Sequence, residues 1–447
     1  MSRASRLSGF TTALSEDTDL NVGIVTAQQL ISDQSLQFTN LNVTGVATAN
    51  NLNVTGVSTL SNVVVGGATT ELVVTGDARV TGILTVGTAS VTLNGNDGVV
   101  SGINTINGVT IPAAGRLTNR NNIVNGAMKV AQRGTSFTGQ TSTKYVVDRM
   151  LFGIKSGGYS GTWDYEQSAD APDGFKYSVK CTNTVAFPAS PVSDAYFYFP
   201  HFLEGQDLQH LKFGTSEAET TTISFWVKSN VIGNYSFGVL QFDNSLKQVA
   251  FGYTINAAST WEYKTITIPG DTAGVIDNDN GKGIQLEWWL NSGSVYTGGS
   301  AQSTWTTFDN THRNFNNPGV GNDTSDFWQI TGIQWEVGDR ATPFEHRSYG
   351  DDLQRCRRYF QHFSCGGSGT ATGTNQTQSA MCTVNYSPEM RDTPTITFGN
   401  IDTGLNNTGN ITAFVSRKYG CCPGAQSSGS GRQYWGVGLS TAAAEIF

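Results

Sequence analysis

The sequence predicts an all-β protein, and three observations lead to this prediction. Only 14% of the 447 residues are charged, well below the roughly 25% of an average soluble protein. The chain contains 52 glycines, which interrupt long helices and supply turns. Its apolar residues occur in short runs that alternate with polar residues or are rich in aromatic and β-branched side chains, and both patterns are typical of strands.

The charge and hydropathy patterns argue against two kinds of partner. The formal net charge is −8 at pH 7, and no basic stripe is apparent. We therefore expect no nucleic-acid partner, because such binding depends on clustered positive charge. The sequence has no run of about 18 apolar residues, the length of a membrane-spanning helix, so we expect no membrane insertion. The first ten residues, MSRASRLSGF, lack the apolar stretch of a secretory signal.

Residues 1–38 form the first predicted element, a short N-terminal segment. It mixes charged residues at its start with a weak apolar pattern at Leu30, Ile31 and Leu36. A short segment ahead of a slender region is suited to docking on something larger, and this is our interpretation of it. The alternative is a frayed terminus.

Residues 39–120 are predicted to form a repetitive β shaft. The sequence LNVTG occurs at 41–45 and again at 52–56, and no aromatic residue lies between Phe38 and Phe137. Alternating Leu and Val closed by glycine predicts a short strand, a turn and another short strand. Such a unit cannot bury its thin apolar edge alone. We therefore expect parallel copies of the chain, three by preference, to share one axis; the alternative is a disordered linker.

Residues 121–347 are predicted to form an antiparallel sandwich. Stretches such as ISFWVKSN, YSFGVLQF, IQLEWWLN and DFWQITGIQWEVG are rich in aromatic and β-branched residues, as strands are. Gly, Asn, Asp and Pro separate them, which is the spacing of a sandwich of about 200 residues.

Residues 348–447 are predicted to contain one short helix and a small C-terminal β-domain. Leu353, Cys356 and Phe360 fall on one helical face. Acidic residues begin this stretch and arginines end it, which favours the helix dipole. Asp351 is placed to pair with Arg355 one turn later. Such pairing is a more common role for helix arginines than phosphate binding.

Two stretches carry a resemblance to a known class of protein. NNIVNGAMKVAQRGTSF (121–137), followed by TKYVVDRMLF, resembles the segment that leads into the sandwich domain of phage tail-fibre and prophage tail proteins. GIQWEVGDRATPFEHRSYGDDLQRCRRYFQ (332–361) is similar to the segment that leaves it. With ISFWVKSN they bracket about half of the chain. The LNVTG repeats resemble the shafts of fibres from phages that infect cyanobacteria.

The resemblance implies a fibre whose sandwich is a carbohydrate-binding-like jelly roll. We then expect a homotrimeric virion tail fibre, made in the bacterial host cytoplasm, that attaches to a surface polysaccharide or outer-membrane receptor. The N-terminal segment would dock on tail or adaptor proteins, and the trimer would gain avidity from its several heads. Two alternatives stay open: a purely structural head or collar fibre without receptor binding, and a glycan-cleaving tailspike.

No catalytic residue, cofactor or metal site is predicted. The sequence lacks the GxSxG, HExxH and phosphate-binding glycine motifs, although a catalytic carboxylate pair stays open. The acidic stretch 271–283 does not match the EF-hand spacing and is interpreted as a turn. Six cysteines without a CxxC pair predict neither a metal site nor a disulfide framework. Adjacent Cys421 and Cys422 are expected to be free thiols made in a reducing cytosol.

The candidate ligand-binding residues are aromatic rings that could stack on a saccharide. Strand alternation in IQLEWWLN puts Leu286, Trp288 and Leu290 on the core face, and Glu287 and Trp289 on the other. In WEYKTITI the two rings alternate against isoleucines, so they are expected to face outward. For each ring the alternative is packing against a neighbouring strand, chain or domain. The candidates are Trp289, Glu287, Trp261, Tyr263, Tyr296 and Trp305.

Overall fold

The computed structural model describes part of the chain, and all described residues belong to the unit Val80–Phe447. The predicted docking segment 1–38 and most of the predicted shaft lie outside the described residues. The domain boundaries at 38, 120 and 347 remain predictions. The described residues are 83–86, 91–94, 99–101, 105–106, 109–110, 117–155, 161–187, 192–243, 245–371, 382–399, 401–403, 407–427 and 431–446.

Five short strands lie in the C-terminal part of the predicted shaft. The first three pair antiparallel in sequence order, and the last two form a separate hairpin. In the first pair, Leu84 is opposite Leu93 and Val86 is opposite Val91. Each strand thus pairs within its own chain, and association of several copies stays a prediction. The strands are β1 (Ile83–Val86), β2 (Val91–Asn94), β3 (Val99–Ser101), β4 (Thr105–Ile106) and β5 (Val109–Thr110).

Thirteen strands between residues 136 and 337 build a β-sandwich from two sheets, so the all-β class is confirmed. They are β6 (Ser136–Gln140), β7 (Lys144–Val147), β8 (Met150–Lys155), β9 (Thr162–Ser168), β10 (Ser178–Val185), β11 (Tyr196–Glu204), β12 (Thr221–Ser229), β13 (Gly233–Gln241), β14 (Lys247–Ile255), β15 (Glu262–Ile268), β16 (Lys282–Ser292), β17 (Gln302–Thr307) and β18 (Phe327–Val337). Short 3-10 helices span Gly205–Leu211, Ser294–Tyr296 and Asn310–His312.

The two sheets are antiparallel and enclose one aromatic core. The six-stranded sheet has the order β15-β12-β18-β10-β9-β6, and the seven-stranded sheet has the order β17-β14-β13-β16-β11-β8-β7. Trp288 is fully buried, as its alternation predicts, and its ring lies 5.0 Å from that of Phe237. Trp335 and Ile333 are also fully buried.

The C-terminal region begins with the predicted helix, α1 (Tyr349–Arg357). Ser348 caps it, accepting a hydrogen bond from the Asp351 backbone N–H at 3.1 Å, which satisfies a donor that the helix leaves free. The strands that follow are β19 (Phe360–Ala371), β20 (Val384–Asn385), β21 (Thr395–Thr397), β22 (Ile401–Thr403), β23 (Asn407–Arg417), β24 (Gly420–Ser427) and β25 (Gly431–Ala443). β25 pairs with β19, β21 and β22, while β24 lies between β20 and β23.

The helix arginines pair differently from the prediction. Among the ion pairs of the described residues, none joins Asp351 to Arg355, and the Asp351 carboxylate accepts a hydrogen bond from the Ser348 hydroxyl at 2.7 Å. Arg358, which directly follows the helix, donates two hydrogen bonds to Glu204 at the end of β11, at 2.8 and 2.7 Å. The helix is therefore tied to the sandwich rather than paired along its own surface.

A buried ionic network joins the C-terminal region to the sandwich. Arg149 donates to one Glu445 oxygen at 2.7 Å and Arg133 to the other at 2.6 Å. Arg133 also binds Asp148 at 2.8 Å, and the Arg149 guanidinium lies 3.6 Å from the ring centre of Tyr359. Burial raises the pKa of Asp148 to about 6, although Arg133 acts in the opposite direction. The network thus connects Arg133 and Arg149 of the sandwich region to Glu445 near the end of the chain.

Buried His201 on β11 should make the stability depend on pH. Burial, and then the charge of Arg149, lowers its pKa to about 3, so folded His201 is neutral while the unfolded chain titrates near about 6.5. His201 therefore contributes its full stabilisation at pH values above its pKa in the unfolded chain. This stabilisation is lost as the pH falls toward its pKa in the folded protein. We expect the free energy of unfolding to fall by about 2 kcal/mol from pH 7 to pH 5 through this residue.

Urea denaturation at both pH values measures this loss. His201→Asn should show a smaller difference between pH 7 and pH 5 than the wild type, whatever its absolute stability. Equal differences in the two proteins would contradict the assignment.

Candidate functional site

An aromatic pair of one exposed and one half-buried ring lies on the outer face of the six-stranded sheet. Phe225 of β12 points into the core, so Trp226 beside it faces outward. On β15, Ile266 and Ile268 are buried, and Tyr263 is 43% exposed, which agrees with its predicted outward direction. The strand register puts Trp226 directly opposite Tyr263. Their ring centres are 5.2 Å apart, with the ring planes inclined by 46°.

Two further rings complete an aromatic cleft around this pair. Phe175 comes from the β9–β10 connection and Phe344 from the segment after β18, and their ring centres lie 4.9 Å apart at a steep angle. His346 packs against both rings. The aromatic cleft has a volume of about 370 Å³. It is lined by Phe175, Ser224, Trp226, Tyr263, Gly332, Ala341, Thr342, Pro343 and Phe344.

Gly332 allows the two halves of the cleft to meet. It lies in β18 with a φ of +62°, at a point where the register with β12 shifts, as at a β-bulge. A Cβ at this position would come within 2.7 Å of the Phe175 ring and 3.1 Å of the Trp226 ring. A residue without a side chain is therefore required here both by the backbone and by the neighbouring rings.

The lining of the aromatic cleft is uncharged but can form hydrogen bonds. Burial raises the pKa of Tyr263, and a hydrogen bond with Ser224 acts in the opposite direction. The phenol is therefore neutral at pH 7 and can both donate and accept. Thr342 is less available, because its hydroxyl donates to Glu336 at 2.6 Å. The cleft thus combines ring faces with a few hydroxyl groups, a composition typical of small-molecule sites.

Trp261 lies beside the aromatic cleft but not in its lining. Two residues before Tyr263, it occupies the same face of the chain, and its indole N–H donates to Asp170 at 3.1 Å. Lys228 bonds to the other Asp170 oxygen at 2.7 Å and lies 5.8 Å from the Trp261 ring centre. Lys228 follows Trp226 by two residues on β12. This group therefore extends the cleft surface with a ring, a cation and a carboxylate.

Trp289 and Glu287 lie on the opposite, seven-stranded sheet, and the predicted platform there is wrong. Both face away from the core as predicted, yet both are 0% exposed. Arg313, from the loop after β17, forms an ion pair with Glu287 and lies 4.7 Å from the ring centre of Trp289. Trp289 also stacks on Tyr198 at 5.0 Å. The outward face of β16 is thus covered by a loop.

Tyr296 and Trp305 also pack against the protein. Tyr296 is buried, and its ring lies 5.0 Å from that of Trp289. Trp305 is half-buried against the core, where its indole N–H donates to the Pro269 carbonyl at 2.7 Å. Its ring meets that of Phe213 at 5.7 Å. For these two candidates the packing alternative is correct.

Three aromatic residues of the cleft were missed from the sequence. Trp226 carries a usable signal, because alternation with Ile223 and Phe225 in ISFWVKSN predicts an outward ring. Phe175 and Phe344 lie in connections without periodicity, so no local pattern indicates that they meet.

The described residues contain no group of three or more His, Cys, Asp or Glu side chains placed to hold a metal ion. No helix among them is long and apolar enough to span a membrane. The absence of enzymatic activity remains a prediction.

No protein-family model matches the sequence, and no curated protein matches it. Among solved structures, the enzymatically active domain of tailspike protein 4 of bacteriophage CBA120 is 11% identical, with a TM-score of 0.24; the match covers 48% of this chain and 21% of that one. A CBM4 structure is 14% identical over 48% of this chain and 97% of its own, with a TM-score of 0.24. The family 11 carbohydrate-binding module from Clostridium thermocellum, in complex with a β-1,3-1,4-mixed-linked tetrasaccharide, is 13% identical over 48% and 99%, with a TM-score of 0.23. At these identities and scores, the function must be judged from this chain's own residues.

Proposed function

We propose that this chain is a virion fibre that binds a glycan on the host cell surface through the aromatic cleft. The observation that supports this most is the Trp226–Tyr263 pair on the outer face of a sheet, in which the Tyr263 ring is exposed and the Trp226 ring half-buried. A sugar ring has an apolar face of C–H groups and an edge of hydroxyls. Adjacent ring faces with hydroxyls beside them complement both.

The size and charge of the cleft favour a saccharide over other ligands. Its volume of about 370 Å³ lies in the range of about 300–1,000 Å³ that small-molecule sites occupy. Because the lining carries no charged side chain, an isolated ion is poorly matched. Lys228 and Asp170 beside the cleft offer charged hydrogen-bond partners to hydroxyls of a longer ligand.

The fibre part of the proposal rests on the repeats and on the resemblance of the sequence. Short antiparallel strands from Ile83 to Thr110 support a β-rich shaft. A homotrimer would bury the apolar edges of these repeats, and the N-terminal segment would attach to tail or adaptor proteins. The several clefts of such a fibre would bind a polysaccharide with avidity.

Tyr263→Ala tests the proposed site. We expect the affinity for the best-bound member of a gluco-, galacto- and manno-oligosaccharide panel to fall about tenfold, the loss of about 1.4 kcal/mol that one stacked ring with its hydroxyl supplies. Isothermal titration calorimetry with short soluble oligosaccharides measures the affinity of a single cleft, without the avidity that several clefts on one fibre would add. Chromatography of the same mixture should show no shortened product, since we propose binding without cleavage.

The matched control is Tyr349→Ala, which removes a tyrosine that is 55% exposed and does not line the cleft. Equal losses in the two variants would contradict the site. If the wild type binds neither a member of the panel nor bacterial envelope polysaccharide, a purely structural fibre is favoured. Released oligosaccharide would favour a tailspike.

A further inference from the structure

The C-terminal β-domain brings together cysteines that are far apart in sequence. Cys365 lies on β19, opposite Val437 of β25. Cys382 precedes β20, and its backbone N–H donates to the Pro423 carbonyl on β24 at 3.1 Å. Cys365 thus belongs to the sheet that contains β19 and β25, whereas Cys382 is bonded to the sheet that contains β24.

The two side chains share one apolar cluster. Both pack against the pair Trp435 and Val437, together with Phe398. Burial raises the pKa of Cys365 to about 12, and the next contributions are a hydrogen bond with the Cys382 thiol and the charge that Cys382 would carry. Both thiols therefore lie at one cluster of apolar side chains. All six cysteines of the chain are free thiols in this structure.

We propose that Cys365 and Cys382 form a dithiol site that a small-molecule disulfide oxidises to an intramolecular disulfide. The Cys382 thiolate attacks one sulfur of the small disulfide, forming a mixed disulfide and releasing one small thiolate. The Cys365 thiol then loses its proton and attacks the Cys382 sulfur, releasing the second small thiol. Two protein thiols are oxidised, and one small disulfide is reduced to two thiols.

Accessibility distinguishes this pair from the buried cysteines, and among the remaining ones Cys422 is also partly exposed but is not part of the apolar cluster that Cys365 and Cys382 share. Cys365 and Cys382 are both partly exposed, whereas Cys181 and Cys356 are fully buried. Cys421 is the nearest competitor, since Cys365 also packs against its cluster. Cys421 is only 3% exposed, however. A thiolate must reach the small disulfide before exchange can start. Because burial raises the pKa of the Cys365 thiol, Cys382 is favoured as the attacking thiol.

The inference does not depend on glycan binding, because the pair lies outside the aromatic cleft. The bridge would tie β19 to the segment that enters β20. It would form when the protein passes from a reducing compartment to an oxidising one.

The test uses the full chain incubated with oxidised glutathione at pH 8. Thiols titrated under denaturing conditions should fall from the six free cysteines to four, and non-reducing peptide mapping should join the peptides of Cys365 and Cys382. In Cys382→Ser this bridge should be lost. In the matched control Cys422→Ser, two thiols should still disappear and the same peptides should be joined.

Three outcomes would overturn the proposal. They are persistence of all six thiols, a bridge that joins Cys421 to either partner, and a mixed disulfide on Cys382 that does not resolve. Peptide mapping of the wild-type chain alone decides among these outcomes, so the test does not depend on the folding of any variant.

Discussion

Replacing Glu445 with alanine is expected to lower the free energy of unfolding by about 3–5 kcal/mol, the cost of leaving a buried charge without its partner. Glu445 is the shared acceptor of Arg149 and Arg133. Arg149 is only 2% exposed, so water cannot replace the lost carboxylate. The contact between the C-terminal region and the sandwich should weaken as well. Urea denaturation followed by tryptophan fluorescence measures the change.

The matched control is Glu389→Ala, which removes an ion pair with Lys418 at 2.7 Å in which both side chains are about half exposed. Exposed pairs contribute about 0–1 kcal/mol, so this variant should stay close to the wild type. A Glu445→Ala protein as stable as the Glu389→Ala protein would show that the buried network does not hold the two regions together.

The double variant Trp226→Ala/Tyr263→Ala should lose saccharide binding almost completely. Removing both outward rings leaves the floor of the cleft without a stacking surface, and we expect affinity to fall by about 100-fold or more, equivalent to about 2.7 kcal/mol or more. Titration calorimetry with the best-bound oligosaccharide measures the loss. The core should persist, because both rings lie on the outer face of the sheet.

The double variant Tyr349→Ala/Tyr419→Ala is the control. It removes two exposed rings that do not line the cleft, and it should bind as the wild type does. If the cleft variant keeps its affinity while remaining folded by circular dichroism, saccharides bind elsewhere on the chain.

Strand alternation predicted which way a side chain points but not what covers it. Leu286 and Trp288 were correctly placed in the core, and Tyr263 was correctly placed outside it. Trp289 also points outward, yet Arg313 covers it from a separate loop. A cover of this kind depends on tertiary contacts, which the period of a strand does not encode.

The rest of the site and the ionic contacts required the fold. Phe175 and Phe344 meet only because the β9–β10 connection and the segment after β18 lie on the same sheet face. The helix at 349–357 was predictable from its apolar face and its charge order. The partner of Arg358 was not, because Glu204 belongs to the distant strand β11.

The most direct test of the proposed binding site is a crystal structure of the protein with the best-bound oligosaccharide. We expect a sugar ring stacked on Trp226 and Tyr263, with ring atoms about 4 Å apart and a sugar hydroxyl hydrogen-bonded to the Tyr263 phenol. A saccharide seated on the seven-stranded sheet, with the Arg313 loop displaced from Trp289, would contradict the account.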